Sequence, residues 1–153
     1  MKRFLSRLLE NQQEAGDAAQ DRTVPIATAA LLLQVAGADY EFTTEEQAEI
    51  AASLERFFHL TPEEVADIVQ ISEEELKQRI DIYFFTSQLN QVLNPSQRLQ
   101  IIEMAWRVIY ADRNLSGHED QLIHRLATLL RLDHSQLIEA KLRVKGDIFS
   151  KDQ

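Results

Sequence analysis

The chain has 153 residues, with 25 Asp and Glu against 16 Lys and Arg, a formal net charge of −9 and no cysteine. That length suits about one domain, which buries roughly two thirds of its unfolded surface and folds without covalent staples. The acidic balance repels phosphate backbones and argues against nucleic acid as a partner. The missing thiols exclude disulfides, thiolate nucleophiles and cysteine-ligated zinc.

In chain order, residues 2 to 14 open with Phe4, Leu5, Leu8 and Leu9 on one helical face and Lys2, Arg3 and Arg7 elsewhere, the pattern of a short amphipathic helix. It lacks the sustained apolar core and small-residue cleavage site of a signal peptide. Apolar stretches such as 27 to 33 fall far short of the roughly 20 residues that span a membrane. A cytoplasmic protein is expected, with Phe4, Leu5 and Leu8 packing on the chain's own core or a second copy, or else touching a partner or the inner face of an anionic membrane. Residues 11 to 21 are polar, a weak helix extension or a linker, so residues 1 to 22 read as an amphipathic helix and polar arm, 23 to 147 as the domain and 148 to 153 as a tail.

Beyond residue 23 the apolar residues follow a helical rather than an alternating period, and the whole chain holds only four glycines and three prolines. An all-α fold of about seven helices follows. Helix starts are marked by a capping residue followed three later by Glu or Gln: Thr43 with Glu46, Thr61 with Glu64, Ser72 with Glu75, Asn94 with Gln97, Ser116 with Glu119, and Asp133 with Gln136. Pro62 and Pro95 stand at first helical positions, where a missing N–H is no loss. The spacing predicts helices over about 24 to 38, 43 to 58, 61 to 70, 72 to 92, 95 to 110, 116 to 130 and 133 to 146, the last ending at Gly146. Leu76, Ile80, Tyr83, Phe84 and Leu89 form an expected buried stripe at the centre of the core. Trp106, with Met104 and Ile109, is placed on another buried face.

The chain also repeats itself. Ala38, Asp39, Phe42, Thr43 and Glu46 recur 73 positions later as Ala111, Asp112, Leu115, Ser116 and Glu119. Residues 57 to 61 have counterparts at 129 to 133, now 72 positions away. The pattern describes two copies of a unit of helix, acidic turn, helix, short turn and helix, joined by residues 72 to 93.

These acidic turns resemble those of the TerB family of tellurite-resistance proteins and the TerB-like domain of the DjlA co-chaperone, over residues 24 to 146. The resemblance implies a compact helical domain, a metal-binding or acidic-surface role, a link to tellurite and other stress resistance, and partner proteins at or near a membrane. The family's glycine after the Asp is replaced by Tyr40 in one copy and Arg113 in the other.

Two readings of the turns compete. In one, Thr43 and Ser116 cap helices, Glu46 and Glu119 complete capping boxes, and Phe42 and Leu115 act as hydrophobic staples. In the other, Asp39, Glu46, Asp112 and Glu119, with Glu41 in addition, hold a divalent cation such as calcium, magnesium or zinc. The capping reading leaves Asp39 and Asp112 unexplained, because each follows a helix C-terminus, where the dipole disfavours an anion. A six- to eight-oxygen shell needs more than one turn supplies, so a tight site requires the turns to converge. An enzyme is not expected: His59, His118, His124 and His134 form no HExxH pattern, and there is neither a phosphate loop nor a nucleophile elbow. The function expected is an interaction module with or without a cation, the alternative being a protein adaptor whose acidic turns only cap helices.

Overall fold

The computed structural model describes residues 15–37, 43–78, 81–111 and 117–150, with side chains from residue 23 onward except at 117–120 and 149–150. Among these residues there are seven helices and no strand: α1 (Ala15–Ala36), α2 (Thr44–Phe58), α3 (Pro62–Lys77), α4 (Ile82–Val92), α5 (Pro95–Tyr110), α6 (Gly117–Leu129) and α7 (His134–Ser150). The expected N-terminal amphipathic helix lies outside the described residues.

The centre of the molecule is α1. From Val24 to Ala36 only Gln34 is exposed, so the helix is apolar all round and takes neighbours on every side. Ala27, Ala29 and Ala30 are fully buried, and their small side chains let α3, α4 and α5 approach closely. The second buried helix is α5, whose Ile101, Ile102, Ala105, Trp106, Val108 and Ile109 are inaccessible to solvent. It packs on α1, α2, α6 and α7. Trp106 stacks on Tyr110 of the same helix and donates its indole N–H to Leu137 O at 3.2 Å, which ties α5 to α7. Arg107 with Asp147 at 2.8 Å, and Arg143 with Glu103, clip the same two helices together at the surface.

Capping chemistry sets most helix starts. Thr43, Thr61 and Asn94 each complete a reciprocal capping box with Glu46, Glu64 and Gln97, and Asp133 exchanges the same pair of bonds with Gln136 at 2.8 and 2.9 Å. Pro62 and Pro95 open their helices as expected.

Four expectations are corrected. Ser72 caps nothing. It lies inside α3, and its buried hydroxyl reaches Ile68 O at 2.8 Å and Ile26 O at 3.0 Å, a back-bond to the preceding turn that uses up the group a cap would need. The break falls later, where Asp81 accepts from Tyr83 N at 3.2 Å and starts α4.

That later start turns α4 by a fraction of a revolution. Ile82, Phe85, Thr86 and Leu89 face inward, while Tyr83 is 62% and Phe84 47% exposed, so of the expected stripe Leu89 is core and the adjacent aromatic pair is not. The other two corrections lengthen helices. Helix α1 begins at Ala15 and carries Pro25 inside it, and α7 runs through Gly146 to Ser150.

Candidate functional site

The first acidic turn enters α2 at Thr43, in extended backbone with φ −84° and ψ 162°. Its hydroxyl accepts from Glu46 N at 3.0 Å, and Glu46 Oε1 accepts from Thr43 N at 3.0 Å. Glu46 is only 1% exposed. A polar side chain buried this deeply is costly unless its atoms are bonded, and here one carboxylate oxygen closes the capping box. The same construction recurs at Thr61 and Glu64, with bonds of 3.0 and 3.2 Å and a Glu that is 2% exposed. The capping box of Glu46 is thus matched by that of a second buried glutamate outside the acidic turns.

The other candidate ligands stand elsewhere. Asp39, Glu41 and Asp112 lie outside the described residues, and Glu119 belongs to the first turn of α6, where side chains are not described. Phe4, Leu5 and Leu8 also lie outside. Among the described residues no group of three His, Asp or Glu side chains is placed to hold a metal ion. What is described is the end of each preceding helix: α1 stops at Ala36 and α5 at Tyr110, so Asp39 and Asp112 follow helix C-termini by two or three residues.

A surface that the sequence did not single out lies beside the capped start of α2. Helices α2 and α3 diverge over α1 and leave an open groove of about 420 Å³. Leu33, Ile50 and Val65 make its floor, Ala51 and Val69 its half-buried walls, and Gln47, Ala66, Gln70 and Glu73 its exposed rim. The size falls within the range of about 300–1,000 Å³ typical of binding clefts. Ala51 and Ala66 set small side chains on its wall and rim, on facing helices. Ala51 and Ala66 were the sequence signal, and periodicity alone cannot separate such positions from ordinary surface alanines.

A second, polar hollow lies between α4 and the end of α6, lined by Tyr83, Ser87, Asn90, Thr128 and Arg131. Asn90 Nδ2 from this hollow donates to Leu129 O and Arg98 Nη1 of α5 to Leu130 O, both at 2.9 Å, and the two hold the open carbonyls at the end of α6. His124 and His134 stack with ring centroids 5.7 Å apart where α6 meets α7.

Compared with family models, residues 25–142 match that of tellurite resistance protein TerB. The chain belongs to the TerB family. The match contains both acidic turns and the α2–α3 groove. Among solved structures, this TerB-family fold is similar to a protein of unknown function, PG1108, from Porphyromonas gingivalis W83, with a TM-score of 0.62 and 14% identity over 82% of this chain and 95% of that one. At that identity the likeness is one of fold. Among curated proteins none matches the sequence. No described helix is long and apolar enough to cross a membrane.

Proposed function

We propose that this TerB-family chain is a non-enzymatic interaction module of a tellurite- or other stress-resistance system, and that it recognises a partner protein through the groove between α2 and α3. The observation that carries this reading is the groove itself: an apolar floor of Leu33, Ile50 and Val65, open to solvent and rimmed by polar residues, beside a helix start whose Glu46 is engaged as a cap. An amphipathic helix is the natural occupant of such a cleft, its apolar face meeting the floor and its polar face the rim. The family's link to tellurite resistance supplies the biological setting. A cytoplasmic location, at the inner face of a membrane when the partner resides there, fits the absence of cysteine from the chain.

The cation reading is the alternative, favoured by the helix ends at Ala36 and Tyr110. Carboxylates at Asp39 and Asp112, just past those ends, oppose the helix dipole unless a cation or a basic partner group compensates them. Glu46 and Glu119, with Glu41, would complete the shell.

Growth in tellurite of cells expressing the chain separates the two. Ala66→Arg fills the groove from an exposed position, whereas the Asp39→Asn, Asp112→Asn pair removes the acidic charge from both turns. Loss of protection with the first and retention with the second is the expected result; the reverse pattern would transfer the function to the turns. Equal protection by all three chains would remove both surfaces from resistance.

A further inference from the structure

We propose that the chain's own residues 1 to 9 are an occupant of the α2–α3 groove, so that the N-terminal segment competes with the partner for the same cleft. This rests on the groove being a recognition surface, as proposed above. Three observations carry it: the chemistry of the segment, the charge of the rim and the reach of the connecting residues.

Met1, Phe4, Leu5 and Leu8 follow the i, i+3, i+4, i+7 spacing that an amphipathic helix uses to anchor in an apolar groove. The remaining side chains include Lys2, Arg3 and Arg7, with no carboxylate before Glu10, in a chain whose net charge is −9. The groove offers the complement. Its floor is aliphatic, and Glu73 on α3 sets an exposed carboxylate on its rim. Opposite charges on segment and rim favour docking and fix its direction.

The reach also fits. Helix α3 runs antiparallel to α1: Ser72 Oγ bonds Ile26 O at 3.0 Å, while Leu33 shares the groove floor with Val65 near the other end. The Glu73 end of the groove therefore lies beside Ile26, about 16 Å along α1 from Ala15 at 1.5 Å per residue. Between Leu9 and Ala15 the chain can extend roughly 20 Å. A nine-residue helix then covers about 13 Å, against about 16 Å for the stretch of α3 from Glu73 to Pro62. The segment can fold back over α3 with Leu8 near Glu73 and Phe4 further along the floor.

The absence of native cysteine makes the test direct. In the full chain, Asn11→Cys with Lys77→Cys, an exposed position one turn past Glu73, leaves every apolar anchor and the rim carboxylate intact, and the rate of intramolecular disulfide formation in a glutathione buffer reports how often the two positions meet. Docking raises the effective concentration of one thiol at the other, so adding Phe4→Asp and Leu8→Asp is expected to slow bridging by about tenfold or more. An Asn11→Cys, Tyr83→Cys control, with the second thiol exposed on α4, should bridge slowly with or without the aspartates.

Bridging that ignores the aspartates would overturn the proposal, and so would predominant disulfide-linked dimers, which would assign the groove to a second copy's segment. Anchor-independent bridging together with cosedimentation of the wild-type chain on phosphatidylglycerol vesicles would give the segment to the membrane instead. Anchor-dependent bridging in a protein whose tellurite phenotype ignores Ala66→Arg would leave this inference standing and remove the partner-recognition reading.

Discussion

His59 and Arg131, 72 positions apart, are the two non-glycine residues with left-handed backbone among those described, at φ 56° and 63°. Each ends a helix, and each is followed by the same long-range turn bond: Leu60 N to Glu55 O at 3.2 Å and Leu132 N to Ala127 O at 3.0 Å. The acceptors and donors keep the 72-residue spacing found in the sequence. Each turn also leads directly into a capping residue, Thr61 or Asp133. A left-handed residue with a side chain costs roughly 1–2 kcal/mol, and glycine removes that cost while loosening the unfolded chain. Replacing either residue by Gly is therefore expected to stabilise the fold by about 0.5–1 kcal/mol, read as a higher urea midpoint at constant slope.

Substitutions at Glu46 separate a cap from a charge. Gln also closes a capping box, so Glu46→Gln should leave stability nearly unchanged. Glu46→Ala, which leaves the Thr43 N–H without its side-chain acceptor and a gap at a buried position, should cost about 1–2 kcal/mol in urea denaturation. Thr61→Ala is expected to cost about 1 kcal/mol by the same mechanism at α3. Equal losses for Gln and Ala at position 46 would mean that the charge itself holds the turn.

Much of the fold could be read from the residues because caps are local chemistry. Thr43, Thr61, Asn94 and Asp133 announce their helices through bonds that reach only three residues ahead. Ser72 with Glu75 has the same spacing and misleads, since its hydroxyl bonds the carbonyl four residues back and that of Ile26 across the core. Tyr83 and Phe84 mislead for a tertiary reason: a helix start moved to Asp81 rotates which faces point inward. Gly146 fails as a helix stop because no left-handed turn is formed there and α7 runs on to Ser150. The groove was invisible because it exists only when α2 and α3 diverge over Leu33. Of the candidate ligands Glu46 lies among the residues whose side chains are described, where it closes the capping box with Thr43.

Trp106 joins α5 to α7 through its bond to Leu137 O and through Lys141 Nζ, 5.3 Å from the ring, while its burial and its stack on Tyr110 of the same helix fix its place. As the sole tryptophan it reports on this contact without interference. Trp106→Ala is expected to cost about 3–5 kcal/mol. Wild-type fluorescence should be blue-shifted and should change in step with helix loss during unfolding. An early, separate fluorescence change would show α7 detaching before the rest.

The start of α7 should respond to acid. Asp133 Oδ1 accepts from Gln136 N and Ser135 Oγ, both at 2.8 Å, and these bonds hold its carboxyl below the ordinary value of 3.8, the Gln136 amide contributing most. A carboxylate with a depressed folded-state pKa contributes its stability above the unfolded value and loses it as pH falls through the lower folded value. The first turn of α7 should therefore keep its hydrogen-exchange protection down to about pH 4 and lose it below. In Asp133→Asn, which still caps, that acid step should be missing.

Whether the acidic turn at α2 is a cap or a ligand set is decided most directly by amide NMR of the metal-stripped full chain titrated with calcium, magnesium and zinc. With Glu46 already bonded to Thr43, the expected result is that the Thr43 and Glu46 amides stay in place through micromolar cation. Saturable shifts of those two signals, abolished by Glu46→Gln, would contradict the capping account and make the turns a cation site.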